Sequence, residues 1–235
     1  MGVPRRVKLV FAILLLPVCA GFGRALWEIS SQLQFNGIVM VPLLAGGMCM
    51  GLLYFCLPKP VWAYVLGHEF THAIATMLCG GRVKGMKVGS DGGHVYVTRD
   101  NFFVTLAPYF IPIYAIMVFV VFALGRQLLG WEGSMAWATF FWALGLSYSF
   151  HIMLTRDFLH SRQPDIISQG YLFSAVIVFL GNALVVFLGI RLVSRGIGTE
   201  QIARSLFNRV SEIYLIIAGF AANALTTINS VLNST

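Results

Sequence analysis

The stretch that decides the fold reads Gly-His-Glu-Phe-Thr-His at residues 67–72 and lies within an apolar run over residues 61–79. We expect this run to form a helix over about residues 60–79, on which residues four apart share one face. His68 and His72 can then direct two imidazoles at one point, a donor set that suits Zn²⁺. Glu69 completes an H-E-x-x-H pattern, in which the glutamate serves as a general base for water. The pattern predicts a catalytic zinc site.

A purely structural role for the two histidines is the alternative interpretation. They would then pack and hydrogen-bond among transmembrane helices without holding a metal. Three ionisable groups in one apolar segment are costly in hydrocarbon, and ionisable residues within membrane segments are functional candidates by default. The sequence therefore favours the metal site.

The composition is that of a membrane protein, with 58% hydrophobic and 11% charged residues. Apolar runs of about twenty residues, the length that crosses the hydrocarbon core of a bilayer, recur along the chain. The net charge of +7 comes from scattered basic residues, which we expect to lie at lipid headgroups. These features predict an all-α, multi-pass integral membrane protein with about six transmembrane helices, and they argue against nucleic-acid binding.

The spans can be placed approximately. The first begins at Leu9 behind basic residues, an arrangement also typical of a signal peptide, and we expect an uncleaved span. The glycines at 46–51 of the second span should allow close helix packing. Pro108 and Pro112 should kink the fourth span. The predicted second to sixth spans lie at about residues 38–57, 61–79, 102–124, 135–154 and 166–193.

Two further segments complete the organisation. Alternating residues on both sides of a Gly/Asp turn predict a β-hairpin over about residues 82–98, after the third span. Its edge can pair with an extended substrate, with Val95 and Val97 as positioning residues, although a solvated connecting hairpin is as consistent with the pattern. Residues 1–198 are predicted to form the membrane domain. Residues 199–235 are predicted to form an amphipathic or short membrane helix.

The third metal ligand is not given by the H-E-x-x-H pattern. A catalytic zinc usually has three protein ligands and one open position. The remaining candidate donors lie in the turn over about residues 151–166. Asp165, at the start of the sixth span, is the favoured ligand, with His151 and Asp157 as alternatives. Asn182, farther along that span, is expected to bond between helices or to hold substrate backbone.

The H-E-x-x-H motif in a membrane span, the glycine pair after it, the basic hairpin and the proline-containing span together resemble the site-2 protease type of intramembrane zinc metalloprotease. The similarity extends over about residues 61–117 and is greatest to the compact branch without PDZ or CBS domains. Pro164-Asp165 is similar to the third-ligand motif of that family. The chain departs from the family pattern there, because Ile166 follows where Leu-Asp-Gly would place a glycine.

The resemblance implies regulated intramembrane proteolysis, the hydrolysis of peptide bonds in or near the membrane segment of a substrate. It implies Zn²⁺ held by His68, His72 and Asp165, with Glu69 as the base. The expected partners are a transmembrane protein substrate, the lipid bilayer and a regulatory membrane protein. The alternative function is that of a non-proteolytic metal-binding membrane protein, either a transporter or a scaffold derived from a protease.

Overall fold

The computed structural model describes residues 3–34, 36–89, 92–160, 163–194 and 196–232. Residues 90 and 91 of the predicted hairpin, and residues 161 and 162 of the predicted third-ligand turn, lie outside the described residues. The helices are α1 (Arg5–Ser31), α2 (Gly37–Cys56), α3 (Val61–Leu78), α4 (Phe102–Leu106), α5 (Ile113–Leu129), α6 (Ser134–His160), α7 (Pro164–Gln169), α8 (Tyr171–Val193) and α9 (Thr199–Leu232), with a 3₁₀ helix at Ala107–Tyr109 and the strands β1 (Val83–Gly89) and β2 (Gly92–Val97).

The predicted architecture, a helical membrane protein with one small hairpin, is confirmed. Among the described residues, α1, α2, α8 and α9 are long and apolar enough to cross a membrane. A fifth span results if the segments Phe102–Tyr109 and Ile113–Leu129, which meet at 77°, form one broken span. The predicted kink therefore occurs, because Pro112 cannot continue the preceding helix. The helix α3 is not among these candidate spans, because two histidines and a glutamate make it less apolar.

The chain forms two compact units, mainly Gln34–Ser174 in one and Val3–Leu33 with Ala175–Thr235 in the other. The second unit has its own core, in which side chains of α1, α8 and α9 pack with the segment before α9. The residues of this core are Ala25, Ile29, Phe187, Ile197 and Ile202. The predicted boundary at residue 198 stays a prediction.

In the first unit, α2 and α6 pack backbone to backbone. A Cβ added at Gly46 would lie 1.9 Å from the carbonyl oxygen of Trp142, and one at Gly145 would lie 2.0 Å from that of Leu43. No side chain fits at either contact. The prediction that the glycines of the second span permit close helix approach is confirmed, with Gly145 of α6 as an additional partner.

The hairpin has an antiparallel register in which Met86 pairs with Val95 and Lys87 with His94. The register is irregular between Val83 and Gly85, where one extra residue enters β1. Both strands contact α3. The hairpin thus lies against the helix that carries the H-E-x-x-H motif.

We expect Gly145→Ala to lower the free energy of unfolding by about 1–3 kcal/mol, because the added methyl group overpacks the contact between α2 and α6. Thermal unfolding of the purified chain in detergent measures this change. Gly51→Ala in α2 is the matched control, since its Cβ would meet only Met153 Cε at 3.8 Å, an ordinary contact. A Gly145→Ala protein as stable as the control would contradict the backbone contact.

Candidate metal centre

The local sequence explains where α3 begins and ends. Pro60 precedes its first residue, and Gly80, with φ of 72°, follows its last turn in the left-handed region that glycine adopts most readily. Between these limits the helix is uninterrupted. His68, Glu69 and His72 therefore lie on it with the spacing that the motif requires.

Three side chains meet at one point, as expected for a metal site. His68 Nε2 lies 3.4 Å from Asp165 Oδ2, and His72 Nε2 lies 3.5 Å from the same oxygen. The three potential ligand atoms all lie within 4.8 Å of one another. Among the residues that the structure describes, this is the one group of His, Cys, Asp and Glu side chains with such spacing. The favoured candidate set is therefore brought together.

The two distances to the carboxylate fit tetrahedral zinc. With zinc–nitrogen and zinc–oxygen bonds of roughly 2.0–2.2 Å, neighbouring ligand atoms of a tetrahedral site lie roughly 3.3–3.5 Å apart. The two measured distances from the imidazole nitrogens to the carboxylate oxygen fall in this range. Two imidazoles and one carboxylate are also a donor set of catalytic zinc sites.

Asp165 is held by its own helix and by a tyrosine. It lies in the first turn of the short helix α7, directly after Pro164. The hydroxyl of Tyr109 donates to Asp165 Oδ2 at 3.0 Å. Tyr109 is fully buried in the 3₁₀ segment where the fourth predicted span breaks. We did not predict a role for Tyr109 from the sequence, although it lies between Pro108 and Pro112, where the helix breaks.

His72 is oriented by the backbone. Its Nδ1 lies 2.8 Å from the carbonyl oxygen of Val104. A carbonyl only accepts, so Nδ1 carries the proton and Nε2 is the atom that would bind a metal. The position of Val104 is fixed in turn, because the side chain of Asn101 caps α4 and accepts from the Val104 N–H at 2.9 Å. A hydrogen bond from the ring nitrogen that does not face the metal site is typical of metal-binding histidines.

The two alternative third ligands lie outside the group. Asp157 accepts from the Tyr54 hydroxyl at 2.7 Å and from the Lys59 ammonium at 2.5 Å. The hydrogen bond to Asp157 raises the pKa of Lys59. His151 is buried and lines a small cavity together with His68. Neither of the two belongs to the group of three ligand atoms.

Glu69 is buried between α3 and the hairpin, with 7% of its surface exposed. A Cβ added at Gly93 would lie 2.9 Å from Glu69 Cγ, so the strand backbone touches the glutamate side chain. The hairpin therefore packs against the side chain of Glu69, on the helix that carries the two histidines.

Of the three residues predicted to position substrate, two lie in β2 and one lies in α8. Val95 and Val97 are half-buried on the same face of β2 as Gly93, whereas His94 and Tyr96 are exposed. The side chains of the two valines thus face inward. Asn182 donates to the carbonyl of Val178 in its own helix at 2.9 Å and belongs to the other compact unit. Its role in substrate binding stays a prediction.

The zinc content of purified chains tests the ligand set. We expect about one zinc per chain in the wild type and in Glu69→Gln, because a base need not be a ligand. We expect a large loss in Asp165→Ala, because two histidines alone leave the site incomplete. Metal analysis after resupply of zinc provides the measurement, and Asp157→Ala is the matched control. Full zinc in Asp165→Ala would instead assign the third ligand to another residue.

Comparisons with known proteins agree with this geometry. The model of the Peptidase M50B-like family matches residues 46–159. The matched residues include α3, the hairpin and the broken span, and they end before Asp165. No curated protein and no solved structure matches the chain significantly.

Proposed function

We propose that this chain, which the Peptidase M50B-like family model matches over residues 46–159, is a zinc-dependent intramembrane endopeptidase that hydrolyses peptide bonds of membrane-protein substrates. The family match supports a membrane metalloprotease of the site-2 protease type. The zinc ion, the position of cleavage and the substrate class are the parts that we add. The observation that carries them is the meeting of His68, His72 and Asp165 beside the buried Glu69.

His68, His72 and Asp165 would hold the metal. When bound, Zn²⁺ would supply Lewis-acid polarisation of the scissile carbonyl and lower the pKa of water to about 7. The other groups of the chain orient these ligands. The Tyr109 hydroxyl bonds to the carboxylate, and the Val104 carbonyl bonds to the His72 ring. Such outer contacts fix ring and carboxylate geometry.

Glu69 would move the proton. In this proposal its carboxylate takes a proton from the attacking water and delivers it to the nitrogen of the leaving amine. The Glu69 side chain is buried and lies against the backbone of Gly93, so it has little freedom to turn away. An oriented base of this kind contributes more to the rate than a mobile one.

The hairpin would hold the substrate in an extended form. A transmembrane helix hides its carbonyls in hydrogen bonds to residues four positions away, so cleavage requires local unwinding. An unwound segment leaves unpaired backbone groups, which are expensive in hydrocarbon. Strand addition to the hairpin satisfies them. The inward-facing side chains of Val95 and Val97 leave the backbone as the contact surface, which suits substrates of varied sequence.

The depth of the site supports cleavage within the membrane. His68 is the eighth residue of α3, which places it roughly 10–12 Å along the helix axis from its first residue. The neighbouring break between Tyr109 and Ile113 leaves backbone groups outside a helix. Non-helical backbone at membrane depth occurs where it is buried in protein or lines a wet cavity. A site at this depth would reach the membrane segment of a substrate.

Cleavage of a panel of tagged single-span membrane proteins, reconstituted with the purified chain in proteoliposomes, tests the proposed function. We expect zinc-dependent cleavage within or next to the membrane segment, located by mass spectrometry of the fragments. Glu69→Gln should lower the rate about 10²–10⁴-fold while keeping its zinc, because it removes only the base. Cleavage by Glu69→Gln at the wild-type rate would contradict the assignment of the base.

Because the hairpin packs closely against Glu69, a substitution in the hairpin should also lower the rate of cleavage. A Cβ at Gly93 would lie 2.8 Å from the Lys87 carbonyl oxygen and 2.9 Å from Glu69 Cγ, so Gly93→Ala must displace the strand or the carboxylate. We expect cleavage to fall about tenfold or more with zinc content unchanged, because small misplacements of a catalytic group are costly. Gly85→Ala is the matched control, since its nearest neighbour would be Tyr96 Cδ2 at 3.7 Å. Equal rates for the two variants would refute the fit.

A further inference from the structure

We propose that His151 is a positioning residue of the metal centre, and that its Nε2 accepts the Nδ1 proton of His68 through one buried water. The inference rests on the proposed function, because it takes His68 as a metal ligand. It concerns a residue that the H-E-x-x-H motif does not include and that lies in α6 rather than α3.

Two buried nitrogens carry the proposal. Among the described residues, His68 Nδ1 and His151 Nε2 are buried side-chain atoms without a hydrogen-bond partner. A buried polar atom left unpaired costs free energy, so such atoms are rare in folded proteins. Two of them on facing helices indicate a shared partner.

A cavity joins the two rings. It offers about 10 Å³ of space for the centre of a water molecule, which is room for about one water. His68, His151 and Thr71 all line it. The Thr71 hydroxyl donates to the Gly67 carbonyl at 2.7 Å and keeps its lone pairs as acceptors. A water in this cavity would have up to three polar side chains around it, and a buried water makes about two to four hydrogen bonds.

The protonation pattern agrees. His68 Nε2 lies 3.4 Å from Asp165 Oδ2, so Nε2 would be the ligand atom, and with a metal bound there Nδ1 would carry the proton. In His72 the same outer proton goes to the Val104 carbonyl. Each histidine ligand would thus have an outer acceptor, a backbone carbonyl for His72 and the water held by His151 for His68. Such acceptors fix the ring orientation and raise the basicity of the ligand.

His151 fits this role better than that of a ligand. The group of ligand atoms within 4.8 Å of one another contains His68, His72 and Asp165. His151 is not among these ligand atoms, and it lines the same small cavity as His68. It can therefore orient His68 without reaching the metal.

Metal affinity measured by chelator competition on the purified full-length chain tests the proposal. We expect His151→Leu, which has no acceptor, to bind zinc about ten- to a hundredfold more weakly than the wild type. His151→Gln, which keeps an acceptor, should recover most of this loss. The control is Thr76→Val, which removes another buried unpaired atom of α3 and should leave the affinity unchanged. Wild-type affinity in His151→Leu, or equal losses in His151→Leu and His151→Gln, would overturn the proposal.

Proton NMR of the cobalt-loaded chain gives a second measurement. The wild type should show two slowly exchanging ring N–H protons from the ligand histidines, one of them with a cross-peak to a bound water. In His151→Leu that proton should exchange faster while the other is unchanged. If His151→Leu does not fold, the wild-type spectrum decides, and a missing water cross-peak overturns the proposal. A cobalt spectrum of His151→Gln that shows a lost ligand, as in Asp165→Ala, also overturns it.

The two proposals fail in different ways. A wild-type chain that binds no zinc would refute the proposed function and the role of His151 together. A wild-type chain that binds zinc and cleaves substrate, with affinity and ring protons insensitive to His151, would refute only the role of His151.

Discussion

The structure of the site depends on the approach of two imidazole nitrogens to one carboxylate oxygen. His68 and His72 come from a single helix, and their separation is set by one helical turn. Asp165 is 93 residues beyond His72 in the chain, so only tertiary packing brings it to 3.4 and 3.5 Å from the two nitrogens. The hairpin, the two parts of the broken span and α6 all contact the helix that carries the motif.

Breaks in the helices supply the groups that the motif lacks. Pro112 precedes α5, and the fully buried Tyr109, the last residue of the 3₁₀ helix, donates to Asp165. Gly170, with φ of 93°, separates α7 from α8, so that Asp165 lies in the first turn of a short helix. A continuous helix through either point would direct its side chains by a fixed periodicity. Because the helices are interrupted, Tyr109 and Asp165 can face the site. The irregular backbone at these breaks needs hydrogen-bond partners, which buried protein groups or a wet cavity supply.

The sequence predicted much of this arrangement because its signals are local. The apolar runs, the prolines of the fourth span and the Gly/Asp turn gave the helices, the kink and the hairpin. The pairing of His68 with His72 follows from helix geometry alone. The supporting contacts could not be predicted in the same way, because Tyr109, Val104 and Gly93 reach the site through long-range packing. Val104 acts through its backbone carbonyl, which leaves no trace in residue type.

In the proposed function, the hairpin would act on the base and the substrate together. Gly93 brings the backbone of β2 against Glu69, so a side chain at this position would separate the strand from the glutamate. The same strand turns its valines inward. A substrate segment that adds to this hairpin would therefore be registered against the carboxylate. The energy that satisfies an unwound backbone in the membrane would then also set the position of the scissile bond.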